Sequence, residues 1–197
     1  GQGPVRPQAE RGSEGVVRRL ELRLNHIQAK GTHNSYHVAP AVTLSTAWQY
    51  THDPLAVQLE AHGVRQVELD VHYRPGKPFA VFHVPGVDAG TNHGTLLECL
   101  RAVKGWSDAH RGHLPVFVFL EPKDEYDEHK IEGHYDELER EILSVWPRER
   151  ILAPDDVRGS STALRDAVLE RGWPALDAVR GRAVFVLLDP GAHREAY

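Results

Sequence analysis

Pro115-Val116-Phe117-Val118-Phe119-Leu120 is the most apolar run in the chain, and Glu121 follows it directly. A continuous run of β-branched and aromatic residues is what a strand buried in a parallel sheet requires. Helical patterns flank it. Upstream, Thr95 to His110 carries Leu96, Leu97, Leu100, Val103 and Trp106 on one stripe; downstream, Asp127 to Trp146 repeats Ile131, Tyr135, Leu138, Ile142 and Trp146 between charges. Working outward, Leu24–Ala29, Gln66–His72 and Phe79–Val84 read as earlier strands and Ala183–Leu188 as a fifth. Asp53-Pro54 opens a helix that His62-Gly63 closes, and another covers Thr162–Arg171. This alternation predicts an α/β fold with a parallel sheet, doubly wound or barrel.

Residues 1–20 are rich in Gly, Pro, Gln, Arg and Glu, with little apolar periodicity, and are expected to form a flexible leader to a domain over 21–197. With 41% apolar and 26% charged residues, the chain has an ordinary globular composition. Its net charge of -5 offers no basic footprint for nucleic acid. The single cysteine, Cys99, falls in an apolar helical stripe and reads as a buried thiol. No apolar run approaches the roughly 18 residues that span a bilayer, and no signal-peptide segment opens the chain, so membrane contact would be peripheral. The sequence holds no Met, even at position 1, which fits a processed chain or a fragment. Neither an internal repeat nor a glycine-rich phosphate or dinucleotide loop is found.

The chemistry-bearing residues sit at strand ends, which in a parallel barrel converge on one face. In Val67-Glu68-Leu69-Asp70-Val71 a period of two sends both carboxylates to one face and the apolar residues to the other. Such a pair repels, so one acid retains its proton unless a cation neutralises the site; a salt-bridged, solvated strand end is the plainer alternative. Asn34, Glu68, Asp70 and Glu121 offer oxygen donors alone, which suits Ca²⁺ or Mg²⁺ and not zinc, with Ca²⁺ favoured for its tolerance of irregular carboxylate geometry. His33 and His83 end two neighbouring strands. Either alone is unremarkable among 13 histidines, but a converging pair can accept a proton from an attacking hydroxyl and return one to a leaving alkoxide. No H-E-x-x-H occurs, and His33/His37 and His110/His113 lack a matching third zinc ligand.

The segments G-T-H-N-S-Y at 31–36, V-E-L-D-V at 67–71, V-F-H-V-P-G-V-D-A-G-T at 81–91 and L-P-V-F-V-F-L-E-P-K-D at 114–124 resemble, in order and spacing, the bacterial calcium-dependent phosphoinositide-specific phospholipase C family. Ala153-Pro154-Asp155-Asp156-Val157-Arg158-Gly159 and Arg171-Gly172-Trp173-Pro174 extend the likeness, which runs from about Leu24 to Asp189. The resemblance implies a TIM-type barrel that cleaves phosphatidylinositol to diacylglycerol and an inositol cyclic phosphate by attack of the inositol 2-hydroxyl. It further implies Asn34, Glu68, Asp70 and Glu121 as Ca²⁺ ligands. His33 would stabilise the pentacoordinate phosphoryl group and share the base role, and His83 would protonate the leaving glycerol oxygen. Glu68 or Asp70 could instead be the base. Lys123 is either a phosphate or inositol contact or a surface ion pair. The implied setting is extracellular, at a membrane surface carrying the phosphodiester lipid.

About five strands are legible where a closed barrel has eight and about 250 residues, so an incomplete barrel is expected. Two other readings stand. Glycerophosphodiester phosphodiesterases and sphingomyelinase D-type enzymes share the histidine pair and the E-x-D metal pair, but open on His-Arg-Gly, whereas here His33 is followed by Asn34-Ser35-Tyr36. A non-catalytic calcium or lipid-headgroup binding module would need the acids but not both His33 and His83.

Overall fold

In the computed structural model, which describes residues 21–124, 128–189 and 191–197, five strands form one sheet: β1 (Lys30–Gly31), β2 (Val64–His72), β3 (Ala80–Val81), β4 (Val116–Pro122) and β5 (Ala183–Leu187). The order is β1-β2-β4-β5, all parallel, with β3 added antiparallel to the end of β2. The leader expected over 1–20 lies outside the described residues. The helices are α1 (Leu55–Ala61), α2 (Leu96–Ala109), α3 (Tyr135–Val145), α4 (Pro154–Arg158), α5 (Leu164–Arg171) and α6 (Ala192–Ala196). The sheet is an open arc, with β5 at its edge among the described residues.

Alternation along β2 and β4 sorts the two faces. Val67, Leu69 and Val71 of β2 and Val116, Val118 and Leu120 of β4 pack beneath α1, α2 and α3 with Leu59, Leu100, Val103 and Ile142. Gln66, Glu68 and Asp70 therefore occupy the opposite face, as do Phe117, Phe119 and Glu121. The parallel register sets Glu68 beside Phe119 and Asp70 beside Glu121. Helix α2 starts on a capping box, in which the Thr95 hydroxyl accepts from the Glu98 amide and the Glu98 carboxylate accepts from that of Thr95.

Four expected elements differ. Leu24–Ala29 is not a strand: Leu24–His26 forms a 3₁₀ turn, because the Leu24 amide donates to the Pro174 carbonyl and the Arg23 amide to the His26 ring. Leu24 packs instead in a smaller cluster with Leu152, Leu176 and Val179, and the strand begins only at Lys30. The third strand shrinks to Ala80–Val81 and runs antiparallel, so His83 sits on a hairpin and not at a barrel-strand end. The helix expected from Asp127, itself outside the described residues, begins at Tyr135. Gly133 at φ 84 breaks it, and the Ile131 amide donates to Asp124, which turns Ile131 into the core from a loop. Glu121, finally, is part of β4 and does not follow it.

Because Leu69 is fully enclosed under the helices and remote from the acid face, its truncation separates fold from site. Leu69→Ala is expected to lower unfolding free energy by about 2–5 kcal/mol, read from the urea midpoint, without changing metal affinity of the folded chain.

Candidate active site

The loop 31–36 is held against β2 by its own polar side chains. Gly31 opens it, and a Cβ there would lie 1.8 Å from the Gln66 side-chain oxygen, so a larger residue would require the Gln66 side chain to move. Ser35 then clamps the backbone of Glu68 twice: its amide donates to the Glu68 carbonyl at 3.0 Å, and its hydroxyl accepts from the Glu68 amide at 2.9 Å. The Gln58 amide donates to the Ser35 carbonyl and its oxygen accepts from the Thr32 hydroxyl, which ties the loop to α1. This clamp forces Asn34 to φ 45, a left-handed conformation that asparagine tolerates better than most residues. It also places the Asn34 backbone amide at Glu68, while the buried Asn34 side chain lies beside the Tyr50 hydroxyl.

Glu68, Asp70 and Glu121 converge so that one oxygen from each lies within 4.8 Å of the others, the only such acidic or metal-ligating group among the described residues. The Asn34 side-chain oxygen, Glu68 Oε1 and both Asp70 oxygens are buried without a hydrogen-bond partner. Two basic groups border them: His33 Nε2 is 3.3 Å from Glu68 Oε1, and Lys123 Nζ is 3.4 Å from Asp70 Oδ2. Burial pushes Asp70 up to about 7, with Lys123 pulling the other way and Glu121 adding to the rise. Burial likewise raises Glu68, opposed by His33. Burial lowers the Lys123 ammonium, but its 2.6 Å bond to Glu121 and the charge of Asp70 outweigh that and hold it above its ordinary value. Lys123 is thus a nearly enclosed ion-pair partner of the acids and not a surface pair.

One ammonium facing three carboxylates leaves the corner short of positive charge. Orphaned, all-oxygen donors at that spacing fit a hard divalent cation such as Ca²⁺, with Asn34, Glu68, Asp70 and Glu121 as the residues able to hold it. Tyr36, fully buried beside Asp70, is driven far above its ordinary range by burial and then by that carboxylate, so it stays a neutral phenol.

The structure brings all seven expected site residues to this face, His83 by a route that sequence reading missed. Stacking of His72 on Phe82 at 3.8 Å, and its ring bond to the Phe82 carbonyl, lock the end of β3. The turn Val84–Asp88, closed by two backbone hydrogen bonds and by Gly86 at φ 74, folds Asp88 back so that Oδ2 meets His83 Nδ1 at 2.7 Å. The edge of Trp48 covers the His83 ring at 5.6 Å, and the charge of His83 acts on Asp70. His33, by contrast, is 72% exposed at its side chain, its carbonyl held by the His52 ring. Asp88, Ser35 and Gln58 had no distinguishing sequence signal beyond lying in or near the quoted segments.

The family model "Phosphoinositide phospholipase C, Ca2+-dependent" matches residues 22–77 and 73–197. Among solved structures, the calcium-dependent phosphoinositol-specific phospholipase C of the Gram-negative bacterium Pseudomonas sp., in its myo-inositol complex, is 25% identical with a TM-score of 0.63. The match covers 85% of this chain and 58% of that one. The Ca²⁺-dependent phosphatidylinositol-specific phospholipase C of Streptomyces antibioticus, 22% identical, has a TM-score of 0.61 over 83% of this chain and 55% of that one. A phosphatidylinositol-specific enzyme from Staphylococcus aureus, 16% identical, shares the fold at a TM-score of 0.55, covering 83% and 48%. This chain therefore spans about half the length of these relatives, from 48% to 58%. A comparison with curated proteins gives no match. The open parallel sheet corresponds to part of their TIM-type barrel, and with most of its length matched by the family model, the chain belongs to the Ca²⁺-dependent phosphoinositide phospholipase C family.

Proposed function

We propose that this chain carries the catalytic face of a phospholipase C that cleaves phosphatidylinositol to diacylglycerol and an inositol cyclic phosphate. The observation that carries the reading is the orphaned oxygen set of Asn34, Glu68 and Asp70, joined by Glu121 and bordered by two histidines in different settings. The Pseudomonas relative was solved with myo-inositol, which supports an inositol headgroup as substrate.

Calcium, when bound by those oxygens, supplies the positive charge that eases ionisation of the inositol 2-hydroxyl and absorbs charge on the phosphoryl group. The hydroxyl proton passes to Glu68 or Asp70, the two carboxylates that β2 aims at this corner. His33, exposed and 3.3 Å from Glu68 Oε1, is free to contact a non-bridging phosphoryl oxygen and to share that proton. His83, with Nδ1 committed to Asp88, has Nε2 left to protonate the departing glycerol oxygen. Lys123 holds Glu121 and Asp70 in place and stands near enough to reach a phosphate or inositol oxygen.

Peripheral membrane contact is supported by the loop between β1 and α1. Val42 and Leu44 are 79% and 72% exposed there, and Trp48 of the same loop lies on His83, so one loop carries both exposed apolar residues and a contact to the site. No helix among the described residues is long and apolar enough to cross a membrane. An extracellular, calcium-rich setting suits the site, since it supplies the cation at millimolar levels.

In ³¹P NMR of phosphatidylinositol vesicles, a cyclic inositol phosphate signal is expected with Ca²⁺ and none with chelator. His33→Ala and His83→Ala should each slow it about 10²–10⁴-fold; product formation in chelator would overturn the reading. Calorimetric titration should show Asp70→Asn weakening Ca²⁺ binding at least about tenfold. In chelator that variant should melt higher than wild type, because a buried charge is gone. Lys123→Met should do the reverse, costing on the order of 3 kcal/mol in chelator by leaving the acids unpaired, with Ca²⁺ restoring part of it. The double variant Val42→Ser/Leu44→Ser should cosediment with vesicles roughly tenfold more weakly, given the aliphatic area withdrawn from the bilayer, with Ca²⁺ affinity unchanged.

A further inference from the structure

Asp88 is wholly buried, and each of its oxygens meets a histidine: Oδ1 lies 2.8 Å from His37 Nε2 and Oδ2 lies 2.7 Å from His83 Nδ1. The other ring nitrogen of His37, Nδ1, is 2.9 Å from the Tyr50 carbonyl oxygen. A carbonyl can only accept, so His37 Nδ1 carries a hydrogen. The line Tyr50–His37–Asp88–His83 contains three hydrogen bonds and needs three hydrogens, one more than two neutral imidazoles and a carboxylate provide. The additional hydrogen resides between His37 and Asp88, which makes that fully enclosed pair neutral overall, as burial demands. With Oδ1 engaged by His37, Oδ2 presents a pure acceptor to His83, so the hydrogen of the His83 ring sits on Nδ1.

We propose that His37 is a positioning residue for His83, acting through Asp88. It orients the carboxylate, the carboxylate selects the tautomer and angle of the His83 ring, and Nε2 is thereby kept for the substrate. This rests on the reading of His83 as the proton donor to the leaving oxygen. The anchoring of the relay supports a role beyond filling space. The His37 amide donates to the Asn34 carbonyl at 2.8 Å, and the His37 carbonyl accepts from the His52 amide at 2.9 Å, while the His52 ring holds the His33 carbonyl. At the other end, Asp88 is paired through its own backbone with Val84, next to His83. The relay thus adds buried side-chain hydrogen bonds to the antiparallel backbone bridge between His37 and Thr91, which joins the loop of His33 to the segment after His83. An imidazole without such a partner exchanges tautomers, and outer partners that suppress the exchange typically contribute about 10–100-fold to activity.

The test is a two-bond ¹H–¹⁵N spectrum of the histidine rings of the 197-residue chain in chelator, read together with turnover of phosphatidylinositol vesicles in Ca²⁺. Wild-type His83 is expected with Nδ1 protonated and Nε2 bare. His37→Phe should move both His83 nitrogens toward the averaged positions of exchanging tautomers and lower kcat about 10–100-fold with KM little changed. His37→Gln, which keeps a donor for Asp88, should restore the wild-type pattern. Asp88→Asn supplies a test that does not depend on the folding of the phenylalanine variant. Its amide can donate to His37 Nε2 while its oxygen accepts from His83 Nδ1, so His37 should select that orientation and leave the His83 tautomer unchanged. An Nε2-protonated His83 in wild type, an unchanged His83 pattern in folded His37→Phe, or a tautomer switch in Asp88→Asn would each overturn the proposal. Expected spectra from a chain inactive on phosphatidylinositol would remove the phospholipase reading and leave the relay standing. An active chain with the wrong tautomer would do the opposite.

Discussion

The parallel pairing of β2 with β4 places Asp70 directly beside Glu121, with Glu68 two residues back on the same face, and the rest of the site is arranged around that register. Three carboxylates in one enclosed corner repel one another and lose hydration together. The backbone cannot relieve this, because the same alternation that aims the acids inward aims Val67, Leu69 and Val71 under the helices, and a one-residue slip would exchange the faces. Neutralisation must therefore come from a retained proton, which the raised Asp70 favours, or from added positive charge. Lys123 supplies one ammonium, and the orphaned oxygens of Asn34, Glu68 and Asp70 mark where a divalent cation fits.

The two histidines meet that corner under different constraints. His33 leaves the clamped loop with its backbone fixed through Ser35 and His52 and its side chain in solvent, so it can follow a substrate. His83 is held on its Nδ1 side by Asp88, and on its face by Trp48, so its free nitrogen has little choice of direction. In the proposed reaction one ring would adapt to the phosphoryl group and the other would deliver a proton along a set line. The division follows from burial: the carboxylate that orients His83 is enclosed, whereas the one beside His33 belongs to the metal corner.

Much of this was legible in the sequence where a physical rule is local. The run 115–120, the stripe of α2 between Thr95 and His110, and the Asp53-Pro54 to His62-Gly63 helix follow from periodicity and end signals, and the structure keeps them within a few residues. The period of two in 67–71 was enough to put Glu68 and Asp70 on one face. What failed depended on distant partners. Leu24 looks like strand by composition, but its amide is taken by Pro174, 150 residues on. The early turns of the expected third helix carry good helical spacing, yet Gly133 and the bond from Ile131 to Asp124 hold them as loop.

The sequence by itself determined the α/β alternation and the family, and singled out the acids and histidines that the fold gathers, because strand periodicity and short ordered motifs are written within a few residues of each other. Only the tertiary structure decided that Lys123 is an enclosed partner of the acids, that β3 is a hairpin strand, and that Asp88 and His37 stand behind His83. Those facts depend on strand register and on hydrogen bonds between residues far apart in the chain, and no local pattern encodes which buried donor will meet which acceptor.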